Sequence, residues 1–401
     1  MTWITMDEAV ALAGRRGSLF VPGSTGEPGG FLAEVARRPG CLAGIALTTG
    51  FVSGINNFSR LAGSGAALSG FFPGTGIELT LVPTTYFGID RRIMVLAPET
   101  VVVEVAPPRG DGSCGLGVAV DFTETALRSA ATRIAVINPA LPDLVRGPRP
   151  ALADFTHVCE RESPILCIRN PEPDAVSQKI AARVAAFVPD GATIQIGIGR
   201  IPGQVMAALS ARRGLRFHSG IVTSGVRALV ESGAVAGEGS IVAASFGGDA
   251  AFYAWLGGRP EVALAPVRHT HHPATLAAID GLVSINSAIE VDLLGQVNAE
   301  WLGGRRISAP GGLPDFAHAA QRGRNGLAIV ALPATDGSMC HSRIVPRLEA
   351  PPTVAAGGID VVVTENGAAD LRGRTAEERA ACLAAIAAPA FRAALTGASR
   401  A

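Results

Sequence analysis

Ile194-Gln195-Ile196-Gly197-Ile198-Gly199-Arg200-Ile201-Pro202-Gly203 reads as a buried strand, a glycine loop and a helix opened by proline. Proline suits a first helical turn because its missing N–H would have no partner there, and glycine lets backbone amides approach a ligand closely. A counterpart, Leu19-Phe20-Val21-Pro22-Gly23-Ser24-Thr25-Gly26-Glu27-Pro28-Gly29, stands in the first half. Two such copies suggest duplicated halves.

Working outward, short Val- and Ile-rich runs alternate with helical stretches, the pattern of a parallel sheet covered on both faces, so the class is α/β. The expected strands are 18–22, 45–49, 93–97, 101–105 and 133–138, then 193–197, 240–246, 261–266, 327–332 and 361–364. Helices are expected over 174–188, 202–212 and 376–387. Three prolines and a glycine forbid a regular element from Leu141 to Pro150. The domain boundary is placed beyond that stretch, giving domains 1–175 and 176–401.

The 401 residues are 48% apolar and 17% charged, with formal charges that cancel. That balance suggests neither a nucleic-acid partner nor an acidic membrane surface. Lys179 is the only lysine and sits on a plain helical stretch. A Walker phosphate loop and a Schiff-base enzyme both need a lysine at the site, so neither class fits. Six cysteines without Cys-x-x-Cys spacing read as reduced thiols. The N-terminus lacks a basic segment followed by an apolar core, and no apolar run reaches the ~20 residues of a membrane span. A soluble cytoplasmic protein is expected.

Ser284-Ile285-Asn286-Ser287-Ala288-Ile289-Glu290-Val291-Asp292-Leu293-Leu294-Gly295-Gln296-Val297-Asn298 places a carboxylate on an apolar strand just before a glycine turn. Either Glu290 is held for chemistry, since an unpartnered buried carboxylate is costly, or Val291 faces the core and Glu290 points to solvent. The loop Gly197-x-Gly199 lacks the third glycine of a dinucleotide fingerprint. Its amides suit an anion or an oxyanion, or it simply turns the chain. Gly311-Gly312 forms a second such loop, and the glycine-dense stretch 107–117 is a third. His269, His271 and His272 invite a metal, yet no acid or cysteine set completes a site, so no metal is expected. His218 is either a donor near the crevice or a satisfied turn residue. Cys340-His341-Ser342 lacks the elbow of a serine hydrolase.

In order along the second half, Gln195–Pro202, His218-Ser219, Ile285–Val297, Gly311–Phe316, Ser342–Pro346 and Val361–Gly373 resemble blocks of the acetyl-CoA hydrolase/transferase branch of the family I coenzyme A transferases. The first half matches more faintly, through the Pro-x-x-Gly-Asp-Gly loop at 107–112 and Val136–Pro142. The resemblance implies two similar open, mostly parallel-sheet domains with the active site in the cleft, and a homodimer. It implies a glutamate nucleophile on the second domain, here Glu290, acting by ping-pong through an acyl-glutamyl anhydride and a glutamyl-CoA thioester. Oxyanion donors are expected from Gly197, Gly199, Gly311 and Gly312, and a donor to Glu290 from Gln296 or Asn286.

Partners would be an acyl-CoA and a small carboxylic acid, with no cofactor beyond the coenzyme A thioester as substrate. Arg200, Arg343 and Arg372 are candidates for the CoA diphosphate. Departures from the family pattern cluster where substrate is selected. Gly220 stands where glutamate is common, Ser224 where aspartate is, Leu313 where glutamine follows the two glycines, and Asn366 where tyrosine is. Together with His218, Asn286 and Gln296, the altered Gly220, Leu313 and Asn366 are the expected substrate-pocket residues, and a bulkier acyl group than acetate or succinate is expected. Two other functions stay open: an acyl-CoA thioesterase in which Glu290 directs water, and a silent relative that binds acyl-CoA.

Overall fold

The structure, a computed structural model, describes residues 1–15, 17–169 and 171–398. The chain gathers into two units that are not consecutive pieces of sequence: Met1–Arg169 with Ile241–Thr270, and Asn170–Ser240 with His271–Ala401.

The first unit is built on an eight-stranded sheet in the order Thr2–Trp3, His157–Glu160, Thr132–Ile137, Thr100–Val105, Ser18–Val21, Ala46–Thr49, Ala67–Gly70, Thr80–Leu81. Every pairing in it is parallel. Its central strand, Thr-Val-Val-Val-Glu-Val, is buried from end to end, and such a strand can only be apolar on both faces because helices cover both. Thr5 starts the helix Met6–Ala13 with a capping box to Glu8, a device worth about 1 kcal/mol. Ala9, Val10 and Ala13 of that helix pack with Phe31, Leu32 and Val35 of Gly29–Ala36 in one buried cluster.

The second unit repeats the scheme with strands in the order Arg216–Thr223, Thr193–Ile196, Leu282–Ser287, Leu327–Ala331, Val361–Thr364, Gly367–Asp370. Only the last pairing is antiparallel. The core gathers Val291, Val297, Phe316, Val330, Val362 and Leu383, each fully buried aliphatic side chain contributing about 1.5–3 kcal/mol.

In both sheets the chain leaves one inner strand for its neighbour on one side and returns on the other. This creates a topological switch point, where ligands of open α/β sheets bind beyond the carboxyl ends of the strands. In the first unit it lies between Ser18–Val21 and Thr100–Val105, and in the second between Thr193–Ile196 and Leu282–Ser287.

One expected strand is a helix. Ile93–Ala97 ends the helix Tyr86–Leu96, whose start is capped by the Thr85 hydroxyl accepting from Gly88 N at 3.2 Å. Ile89 and Ile93, four apart, face the core while Met94 and Val95 are exposed. That spacing is helical, and a run of five apolar residues does not reveal it alone. Among the described residues no helix is long and apolar enough to cross a membrane.

Candidate active site

Glu290 does not sit in the middle of a strand. The parallel strand ends at Ser287, the chain turns at Ala288 and Ile289, and Glu290 opens a new strand, Glu290–Asp292, in a separate three-stranded sheet. That strand pairs antiparallel with Val297–Asn298 and parallel with Ile344–Val345. Alternation along it buries Val291 and half-buries Glu290. Val291 faces the core, as the second reading expected, while Glu290 faces a cavity rather than open solvent.

The cavity has a volume of about 780 Å³ and is lined by Glu290, Asn298, Trp301, the Gly303-Gly304 turn, Cys340 to Pro351 except Arg343 and Leu348, and Phe391, Ala394 and Leu395, with Glu349 an exposed second carboxylate at its wall. Its walls are mainly apolar with a few polar groups, as small-molecule sites usually are. All these residues belong to the second unit.

Register decides what touches Glu290. Asn298 is its directly opposed residue, and opposed side chains on one face of an antiparallel pair lie within reach of each other. Asn298 Nδ2 donates to Glu290 Oε2 at 3.2 Å and to the carbonyl of Trp301 at 2.8 Å. Its Oδ1 accepts from the amides of Glu300 at 3.1 Å and Trp301 at 2.9 Å. The amide is thus fixed on both sides, and at 1% exposure it cannot swing away. Arg343 fixes the other side of the strand: its guanidinium donates to the carbonyls of Ile289 at 3.1 Å and Thr335 at 3.2 Å.

Neither expected donor reaches the glutamate. Gln296 Nε2 donates to Asp292 at 2.7 Å, and Asp292 also accepts the amides of Leu294 and Gln296. Those bonds close the turn in which Gly295 has φ +84°. Asn286 is locked in a buried triad with Gln195 and Ser284 by bonds of 2.9–3.2 Å. The three arginines considered for CoA also have partners: Arg200 meets Asp174 at 2.6 Å, Arg372 meets Asp370 at 2.6 Å, and Arg343 holds the backbone as described.

The glycine loops stand at the carboxyl edge of the large sheet. Gly197 N donates to Ile285 O at 3.0 Å, and a side chain at Gly197 would meet Asn286 Oδ1 at 3.5 Å. Gly199, at φ +115°, begins the helix Arg200–Ala208, and Gly311, at φ +59°, precedes Gly312 at the start of Leu313–Arg322. Those positive φ values are why glycine is needed at 199 and 311. His218 and Gly220 lie on Arg216–Thr223 at the same edge. Leu313 is buried in the core. Asn366 closes the hairpin between the last two strands, its Nδ2 donating to Ala387 O at 3.3 Å. None of these residues lines the 780 Å³ cavity. Among the described residues no group of three His, Cys, Asp or Glu side chains could hold a metal ion.

Asn298 and Arg343 were not read from sequence as neighbours of Glu290. Asn298 closes the same quoted run, and a glutamate and an asparagine bracketing a glycine turn was the available signal. The contact of Ser342–Pro346 with Glu290 needs a pairing of distant segments that local pattern does not encode.

Comparison with known proteins bears on the family. Residues 248–399 match the acetyl-CoA hydrolase/transferase C-terminal domain. The chain is 35% identical to the 4-hydroxybutyrate coenzyme A transferase of Clostridium kluyveri, over 76% of this chain and 72% of that protein. It is 29% identical to the succinyl-CoA:cyclohexane-1-carboxylate CoA transferase of Geobacter metallireducens, over 98% and 94% of the two chains. The crystal structure of RipA from Yersinia pestis superposes with a TM-score of 0.90 at 26% identity, covering 100% of this chain and 97% of that one. The chain belongs to the acetyl-CoA hydrolase/transferase family of coenzyme A enzymes.

Proposed function

We propose that the protein is an acyl-CoA:carboxylate CoA-transferase in which Glu290 is the nucleophile. The observation that carries this is the Glu290 carboxylate, half-buried on the wall of a cavity large enough for a thioester substrate and held, among the described residues, by one amide donor. One hydrogen bond orients the group without solvating its charge away, which is what a carboxylate nucleophile needs.

In the proposed cycle a Glu290 oxygen attacks the thioester carbonyl carbon, the C–S bond breaks, and CoA leaves as thiolate. The thiolate then attacks the glutamyl carbonyl of the anhydride, releasing the first acid as carboxylate and leaving a glutamyl-CoA thioester. A second carboxylate reverses both steps. No proton has to move. Each step passes through a tetrahedral oxyanion, which backbone amides stabilise. The Gly197 amide is already given to Ile285 O, which leaves the turns at Gly199 and Gly311-Gly312, outside the cavity wall, as proposed donors only if they close on the substrate. The names of the relatives support acyl-CoA and carboxylic acids as substrates.

Trapping tests the reading. Incubation with an acyl-CoA followed by borohydride or hydroxylamine should modify Glu290, read by peptide mass spectrometry. Steady CoA release without an acceptor acid, and no modification at Glu290, would replace the transferase with a thioesterase in which Glu290 directs water.

A further inference from the structure

His271 is 1% exposed and packs edge-on against Phe316, with ring centroids 4.7 Å apart. Burial, with the neighbouring His218 adding to it, pushes its pKa down to about 3, so the ring is a neutral wedge at any working pH. Two glycines from distant parts of the chain flank it. A Cβ at Gly312 would lie 2.9 Å from His271 Nε2, and a Cβ at Gly220 would lie 3.0 Å and 3.1 Å from Cε1 and Nε2.

Neither glycine is demanded by its backbone. Gly312 has φ −87°, and Gly220 is not among the glycines with positive φ. Alanine could adopt both conformations. What excludes a side chain at each is the imidazole, since approaches this short force a buried neighbour to shift.

We propose that His271 is a positioning residue: its ring, wedged between Gly220 on the strand Arg216–Thr223 and Gly312 at the head of the helix Leu313–Arg322, sets where the Gly311-Gly312 turn stands at the carboxyl edge of the sheet. Phe316 fixes the ring from the first turn of that helix, so the helix start and the wedge locate each other. The register places Gly220 level with Gly197 and Asn286, counting on from Phe217↔Ile194 and from Ile285↔Ile196. The turn therefore stands at the carboxyl edge of the sheet, level with Gly197 and Asn286, the two residues that border the switch point. This inference rests on the proposed role of Glu290 and adds that the site's geometry depends on a histidine that reacts with nothing.

A double-mutant cycle tests it. Gly312→Ala should lower kcat about 100-fold, the scale of a misplacement of ~1 Å, with KM within about threefold and the far-UV circular dichroism unchanged. His271→Ala should lower kcat by a smaller factor. In the double variant the added methyl enters the vacated space, so kcat should recover to within about tenfold of wild type, a rescue that mere destabilisation would not give. Gly220→Ala should show the same rescue. His271→Asn stands in if His271→Ala does not fold. Wild-type kcat in Gly312→Ala, or a double variant no better than Gly312→Ala alone, overturns the proposal. Glu290→Gln assayed alongside separates the two failures: an inactive Glu290→Gln with no rescue sinks only the role of His271, whereas an active Glu290→Gln sinks the role of Glu290 itself.

Discussion

Each unit carries glutamate on, or just beyond, a strand that borders its switch point, and the two units treat it in opposite ways. In the first, Glu104 is 9% exposed and accepts from Gly30 N at 3.1 Å, Asn138 Nδ2 at 2.9 Å and Ser163 Oγ at 2.8 Å. Glu27 beside it is held by Asn56 at 2.7 Å and Arg60 at 2.9 Å. The space there is about 10 Å³, at the lower limit for one water. In the second unit Glu290 has a single donor among the described residues and opens on about 780 Å³. The same architecture thus builds a sealed carboxylate cluster once and, once, an accessible carboxylate that we propose is the reactive one. Access and the number of donors, not the presence of a glutamate, distinguish the two sites.

Glu290→Gln would break this contrast most severely, because, if Glu290 is the proposed covalent nucleophile, its removal costs on the order of 10⁴-fold or more in kcat. The thermal midpoint should move little, since the amide fills the same volume. Turnover assays with an acyl-CoA and an acceptor acid, read beside a thermal melt, check both halves of the expectation.

Glu104→Ala should do the reverse. It leaves three buried donors without their acceptor and opens a void, at a cost of roughly 3 kcal/mol, seen as a lower urea midpoint with kcat of the folded enzyme within about twofold of wild type. A pH series sharpens the point. Burial pushes the Glu104 carboxyl above its ordinary 4.5, Asn138, Gly30 and Ser163 hold back part of the rise, and Glu27 adds to it. Glu27 is likewise raised by burial against the pull of Asn56 and Arg60. The folded state therefore binds these protons more tightly than the unfolded chain. The stabilisation they contribute is complete below about 4.5 and is lost as pH rises through the raised folded values. Glu104→Gln should flatten that slope, and unchanged pH dependence of the urea midpoint would count against the sealed cluster.

The smallest effect belongs to Asn298→Ala. Losing its hydrogen bond to the charged Glu290 should lower kcat/KM about tenfold, and stripping the Glu300 and Trp301 amides of their acceptor should lower the urea midpoint as well. Should the loss instead match that of Glu290→Gln, Asn298 would be more than an orienting donor.

Much of this was legible in the chain. The strand and loop at 194–203 and its counterpart at 19–29 marked two related α/β halves, because buried parallel strands must be apolar on both faces and tight strand-to-helix turns need glycine. The Ile93–Ala97 run misled because five apolar residues fit either period, and the Thr85 cap that settles it lies eight residues upstream. The run 284–298 drew attention to Glu290 because a carboxylate among apolar neighbours needs a reason.

What the linear order determined, then, was which residues are apolar, where the chain must turn, and that a charge at 290 had to be accounted for. Only the tertiary structure decided that the strand breaks at 288 and 289, that Asn298 rather than Gln296 donates to Glu290, and that His271 stands between Gly220 and Gly312. Local pattern follows from each residue's own geometry and polarity. These contacts instead join segments about 40 to 90 residues apart or depend on a one-residue choice of register, and only packing the whole unit settles either.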